Sequence, residues 1–111
     1  MKDNQLLIKA KEFAIEILNL CKTIKSPITN QLSRGGTSIG ANIHEANYAH
    51  SKADFIAKLE IALKECYETE YWLELLKETN CISDELYKDF QQKSGQIRRL
   101  LIASCTTAKK K

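Results

Sequence analysis

One proline and four glycines among 111 residues leave too few turn-formers for an all-β fold, and they favour helices from composition alone. No apolar run approaches the roughly 20 residues that span a bilayer. The opening Met1-Lys2-Asp3-Asn4 also lacks the apolar core of a signal peptide, so a cytoplasmic protein without a membrane segment is expected. Cys21, Cys66, Cys81 and Cys105 lie far apart, with no close pair of the kind that structural zinc sites use, and they read as reduced, structural thiols. The only histidines, His44 and His50, flank no Glu-x-x-His motif, which a di-iron bundle requires on two helices. With no strand there is no Gly-rich phosphate loop, and the serines sit at caps or within helices rather than in a nucleophile elbow. No catalytic constellation, cofactor or metal is therefore expected, and the chain reads as a non-enzyme. Excess charge is lacking as well. The net +3 comes from 17 basic and 14 acidic residues, and Lys109, Lys110 and Lys111 supply three of the basic ones, so residues 1–108 are neutral on count. A strongly basic domain would have pointed to nucleic acid by itself.

What the chain does have is helical periodicity, at a length suited to one core. Leu6, Ala10, Phe13, Ile17, Leu20 and Ile24 alternate steps of four and three, with Leu7, Ala14 and Cys21 beside them. Ser26-Pro27 offers a cap and a proline at the first helical position, where its missing N–H is harmless. The second helix then runs through Ile28, Leu32, Ile39, Ile43 and Ala46 and fades near Tyr48. Ser51-Lys52-Ala53-Asp54 has capping-box spacing and opens the longest helix, about 28 residues or roughly 42 Å. Its core face includes Phe55, Leu59, Ala62, Leu63, Cys66, Leu73 and Leu76. After a break at Asn80-Cys81-Ile82, Ser83 caps a fourth helix whose inward residues are Leu86, Phe90, Ile97, Leu101 and Ser104. Links this short force neighbouring helices to run antiparallel. The fold class is all-α, an antiparallel up-down-up-down four-helix bundle: one domain over 1–108, then a disordered basic tail at 109–111.

Three features depart from ordinary bundle core. Gly35, Gly36 and Gly40 stand inside helix 2, each costing about 0.8 to 1 kcal/mol relative to alanine. Close approach of another backbone would offset this, from helix 1, helix 3 or another protomer. Arg34, Ser38, Asn42 and Glu45 form a polar stripe on the same helix, either a solvated side or a half-buried network. In a hairpin closed near residues 48 to 51, Arg34 comes level with Glu65 and within a turn of Glu68, so an ion pair is expected there. On helix 3, Glu70 falls inside the apolar stripe, with Lys93 or Gln92 as expected partner, since a carboxylate is rarely buried alone. Ile61, Trp72 and Leu75 fall on the opposite side with Tyr71 at their rim, either an interface or scattered surface residues.

The run Arg34-Gly35-Gly36-Thr37-Ser38-Ile39-Gly40-Ala41-Asn42-Ile43-His44-Glu45-Ala46, followed by Asp54-Phe55-Ile56, Ile61-Ala62-Leu63 and Glu68-Thr69-Glu70, resembles the bacterial four-helix bundle family of 23S ribosomal RNA intervening-sequence proteins. The resemblance is densest over residues 32 to 76, and helices 1 and 4 match in pattern only. It implies an up-down bundle that tends to form homopentamers and has no established enzymatic activity. A related branch, the accessory proteins of diversity-generating retroelements, works with a reverse transcriptase and nucleic acid through a basic surface. The sequence departs from the commoner pattern in having Gly35-Gly36 where alanines are usual, and Ala46 where glycine often follows the glutamate.

Two expectations follow. One is a self-assembling structural or adaptor subunit whose partner is itself. The other is an RNA- or DNA-binding accessory factor that sums Lys88, Lys93, Arg98, Arg99 and the Lys109-Lys110-Lys111 tail over several copies.

Overall fold

The computed structural model describes residues 5–110. Four helices follow in order, α1 over Gln5–Cys21, α2 over Thr29–Ala46, α3 over Lys52–Glu78 and α4 over Asp84–Lys110. They run up, down, up and down, and each packs on its neighbours around a square, α1 on α2, α2 on α3, α3 on α4 and α4 back on α1. Among the described residues the diagonal pairs α1/α3 and α2/α4 make no close backbone approach, and the α1/α4 seam is the most open of the four. The body measures 45 × 20 × 18 Å, the long axis set by the 27 residues of α3 and of α4 at about 1.5 Å each.

The expected apolar faces form the core. Leu6, Ala10, Phe13, Ile17 and Leu20 of α1 meet Leu32, Ile39 and Ile43 of α2, Leu59, Cys66, Leu73 and Leu76 of α3, and Phe90, Ile97 and Leu101 of α4. Phe13 and Phe90 stack edge to face across the open α1/α4 seam, with ring centroids 6.1 Å apart.

Local chemistry sets the helix ends. Ser51 Oγ accepts from the Asp54 N–H at 3.0 Å, and the Asp54 carboxylate reaches back to the His50 N–H at 3.3 Å, one residue before the usual capping-box position. Ser83 Oγ accepts from the Leu86 N–H at 3.1 Å, which caps α4. At the end of α3, Asn80 adopts φ 62° and the Cys81 N–H donates to the Leu76 carbonyl at 2.8 Å, a Schellman closure.

Two boundaries differ from expectation. Ser26 and Pro27 form a turn rather than the first helical positions, because Ser26 Oγ accepts from the Ile28 N–H and its carbonyl takes the Thr29 N–H; α2 begins at Thr29. The helix of α4 continues through Lys109 and Lys110, where Lys109 pairs with Glu60 at 2.8 Å, so the basic end is helical that far; Lys111 lies outside the described residues.

Candidate functional site

The glycines of α2 face inward to the same chain. A Cβ on Gly35 would lie 2.7 Å from Thr69 Oγ1 of α3, and one on Gly36 would lie 2.8 Å from Ile17 Cγ2 of α1. A Cβ on Gly40 would meet the Ala10 backbone of α1 at 3.7 Å, an ordinary contact distance. Gly35 and Gly36 thus let α2 sit close between α3 and α1, and this intrachain approach accounts for their helix cost, whereas Gly40 has room for a β-carbon.

That packing also fixes the α2/α3 register. Gly35 stands opposite Thr69, so Arg34 comes about a turn beyond Glu65, and its side chain is exposed. Among the described residues Arg34 joins no ion pair, and the expected pairing with Glu65 or Glu68 does not form. The rest of the stripe is joined differently from a side-chain network. Asn42 Nδ2 donates to the Ser38 carbonyl on its own helix at 2.8 Å, and Glu45 pairs across the seam with Lys58 at 3.2 Å.

A network does exist at the α3/α4 seam. Glu70 is half-buried there, and its Oε2 accepts from Ser94 Oγ at 2.7 Å and from Arg98 Nε at 3.2 Å. The Cys66 thiol, fully buried below, donates to the Ser94 carbonyl at 3.5 Å. The hydrogen bond to Glu70 raises the Arg98 pKa, with burial working against it and the nearby carboxylate charge adding to it. Burial first, then the charge of Glu70, pushes the Cys66 thiol up to about 12, with Arg98 opposing. The expected partner of Glu70, Lys93, lies elsewhere. It bonds to Glu16 on α1 and to Asp89 a turn earlier on α4, and these two hydrogen bonds raise its pKa. Among the described residues Ser94 and Thr69 are the fully buried polar side chains; Thr69 entered the sequence reading only within the Glu68-Thr69-Glu70 motif, and Ser94 not at all, although the adjacent small pair Ser94-Gly95 within α4 was an available signal.

Ion pairing divides the basic residues. Lys93, Arg98 and Lys109 are each held by a carboxylate, whereas Lys88, Arg99 and Lys110 are exposed and join no ion pair among the described residues.

Exposed large apolar side chains group on α1 and α3, with Tyr48 after α2 and Ile102 on α4 standing singly. On α3, Ile61, Tyr67 and Tyr71 are 43%, 51% and 54% exposed, while Leu75 is half-buried and Trp72 packs partly onto the core. On α1, Ile8, Ile15 and Leu18 are 55%, 49% and 43% exposed along the outer side, a stripe the sequence reading missed because the stronger period of Leu6 to Leu20 masks it. Among the described residues no cluster of three or more His, Cys, Asp or Glu side chains could hold a metal ion, and no helix is long and apolar enough to cross a membrane.

Residues 2–103 match the family described as 23S rRNA-intervening sequence protein. The chain belongs to that family. A crystal structure of a protein of unknown function from the S23 ribosomal protein family of Bacteroides thetaiotaomicron VPI-5482 is 50% identical to it, covering 96% of this chain and 99% of that one. The two folds superpose with a TM-score of 0.92, so the bundle is shared by these relatives along nearly their whole length. No curated protein matches the chain.

Proposed function

We propose that this member of the 23S rRNA-intervening sequence protein family is a non-enzymatic, self-assembling subunit, a structural or adaptor protein of the cytoplasm that works as a homopentamer. One observation carries the reading: a bundle whose glycines are already used within the chain still leaves large apolar side chains on the outside of both α1 and α3. Monomers that remain single rarely keep such stripes in water. The four unpaired cysteines fit a reducing compartment. Light scattering after size exclusion tests the assembly, with an expected mass close to five times the 12.6 kDa of one chain. A single-chain mass at micromolar concentration overturns it.

A second reading is binding of RNA or DNA through charge summed over the copies. What favours it is the α1/α4 seam, where Lys9 and Arg99 line one groove of about 280 Å³ and neither joins an ion pair among the described residues. Retention on nucleic acid at low salt that falls as salt rises would support it, and no retention at low salt removes it.

A further inference from the structure

The geometry points to a specific contact between copies, in which the outer face of α1 of one copy docks on the outer face of α3 of the next. This rests on the assembly reading above and names the surfaces that make it.

The two faces match in height. Gly35 and Gly36 are chain neighbours, one against Thr69 and the other against Ile17, so Ile17 of α1 and Thr69 of α3 stand at one level of the bundle. Both helices run in the same direction. Counting outward from that level, Ile8 is level with Glu60 and Ile61, Ile15 with Tyr67, Leu18 with Glu70 and Tyr71, and Lys22 with Glu74. A ring whose symmetry axis runs along the bundle joins neighbours without axial shift, so equal heights are the ones that meet. The three exposed aliphatic side chains of α1 are therefore those that the exposed Ile61, Tyr67 and Tyr71 would cover.

The faces also match in sign. Lys11 and Lys22 flank the α1 stripe, whereas Glu68 and Glu74 flank the tyrosines of α3, and none of the four has an ion-pair partner among the described residues. Glu12 and Lys64 are the exceptions of sign on their respective faces. Pairing basic-aliphatic against acidic-aromatic gives a head-to-tail contact and disfavours like faces meeting. Tyr67 and Tyr71 lean towards α4, where they share a groove of about 270 Å³ with Tyr87 and Arg98. Ile61 does not line that groove, so a contact centred on the two tyrosines is turned off the line through α1, the turn that a closed ring needs.

The test measures mass by light scattering across a dilution series, with helical circular dichroism confirming that each variant folds. Leu18→Asp is expected to give single chains. Lys22→Glu and Glu74→Lys are each expected to raise the concentration for half-assembly by roughly tenfold, and the double reversal to restore it. Should Leu18→Asp fail to fold, the charge-reversal set decides alone. An oligomer indifferent to these changes, or single reversals that the double variant does not rescue, overturns this contact while leaving assembly standing. A wild-type chain that stays single overturns the assembly reading itself.

Discussion

Gly36 lies so close to Ile17 that a β-carbon added to it would sit 2.8 Å from the isoleucine Cγ2, and 3.0 Å from its Cγ1. A β-carbon added to Gly40, one turn on, would lie 3.6 Å from the Ala10 Cβ, which is ordinary contact. The same substitution should therefore have opposite signs at the two sites. Gly36→Ala gains about 1 kcal/mol of helix propensity but overpacks a buried branched side chain, which typically costs about 1–3 kcal/mol, so a net loss is expected. Gly40→Ala has room and should stabilise by up to about 1 kcal/mol. Urea midpoints of the two variants check this, and equal shifts would contradict the packing described.

Glu70 holds Ser94 and Arg98 across the α3/α4 seam with side chains only 22% and 29% exposed for the charged pair. Glu70→Ala leaves the hydroxyl and the guanidinium without their acceptor. The expected loss is about 1–2 kcal/mol, reduced from the fully buried case by that residual exposure. Arg98→Ala should cost less, since it leaves Ser94 on Glu70. A Glu70→Ala protein as stable as the parent in urea would show that the seam does not depend on this network.

The architecture was legible in the sequence because alternating steps of three and four, such as Leu6 to Leu20, report a buried face directly, and because Ser51 and Ser83 sit at the caps that their spacing indicates. Pairings across seams were less legible. Arg34 missed Glu65 and Glu70 took Arg98 instead of Lys93, because closure of a hairpin leaves its register open by about a turn, and the glycine contacts that set it lie between helices. The outer face of α3 was partly visible. Its apolar residues are spread around the helix, so Trp72 read as outward although it packs onto the core. The stripe of Ile8, Ile15 and Leu18 was hidden beneath a stronger pattern on the same helix.

Alkaline pH should unfold the protein early. Burial first, then Glu70, moves the Cys66 thiol from 9.0 to about 12 in the folded chain, so as pH rises the unfolded chain loses its proton first. The stabilisation is complete below pH 9 and is withdrawn between about 9 and 12. Cys105, raised by burial and by Glu60, and Lys93, raised by its bonds to Glu16 and Asp89, act with the same sign. Cys66→Ala, destabilised at neutral pH by the cavity it leaves, should show a shallower loss between pH 9 and 10.5. Identical slopes for the variant and the parent, read from urea unfolding at each pH, would refute this.

The turn between α3 and α4 depends on one backbone angle. Asn80, at φ 62°, is the residue with positive φ among the described non-glycine positions, and its N–H closes on the Lys77 carbonyl at 3.0 Å. Glycine adopts this region freely, so Asn80→Gly should be neutral or mildly stabilising. Asn80→Val places a β-branched side chain there and should cost about 1–2 kcal/mol. Thermal unfolding of the pair decides the matter, and a valine variant as stable as the glycine one would rule out this account of the turn.

The pairing of basic side chains makes nucleic-acid binding a sharp test. Lys93 is held by Glu16 and Asp89 and would have to lose both before meeting a phosphate, whereas Arg99 is exposed and has no carboxylate partner among the described residues. Each phosphate neutralised on duplex DNA contributes about −0.9 to the slope of log affinity against log salt. For a contact made by Lys9, Lys88, Arg99 and Lys110, which join no ion pair among the described residues, the slope per chain should be about −4. Arg99→Ala is expected to make the slope shallower by about one, and Lys93→Ala to leave it unchanged. Binding that depends equally on Lys93 and Arg99 would mean that the Glu16 pairing opens in the complex, and would extend the contact along the α1/α4 seam from Arg99 to Glu16.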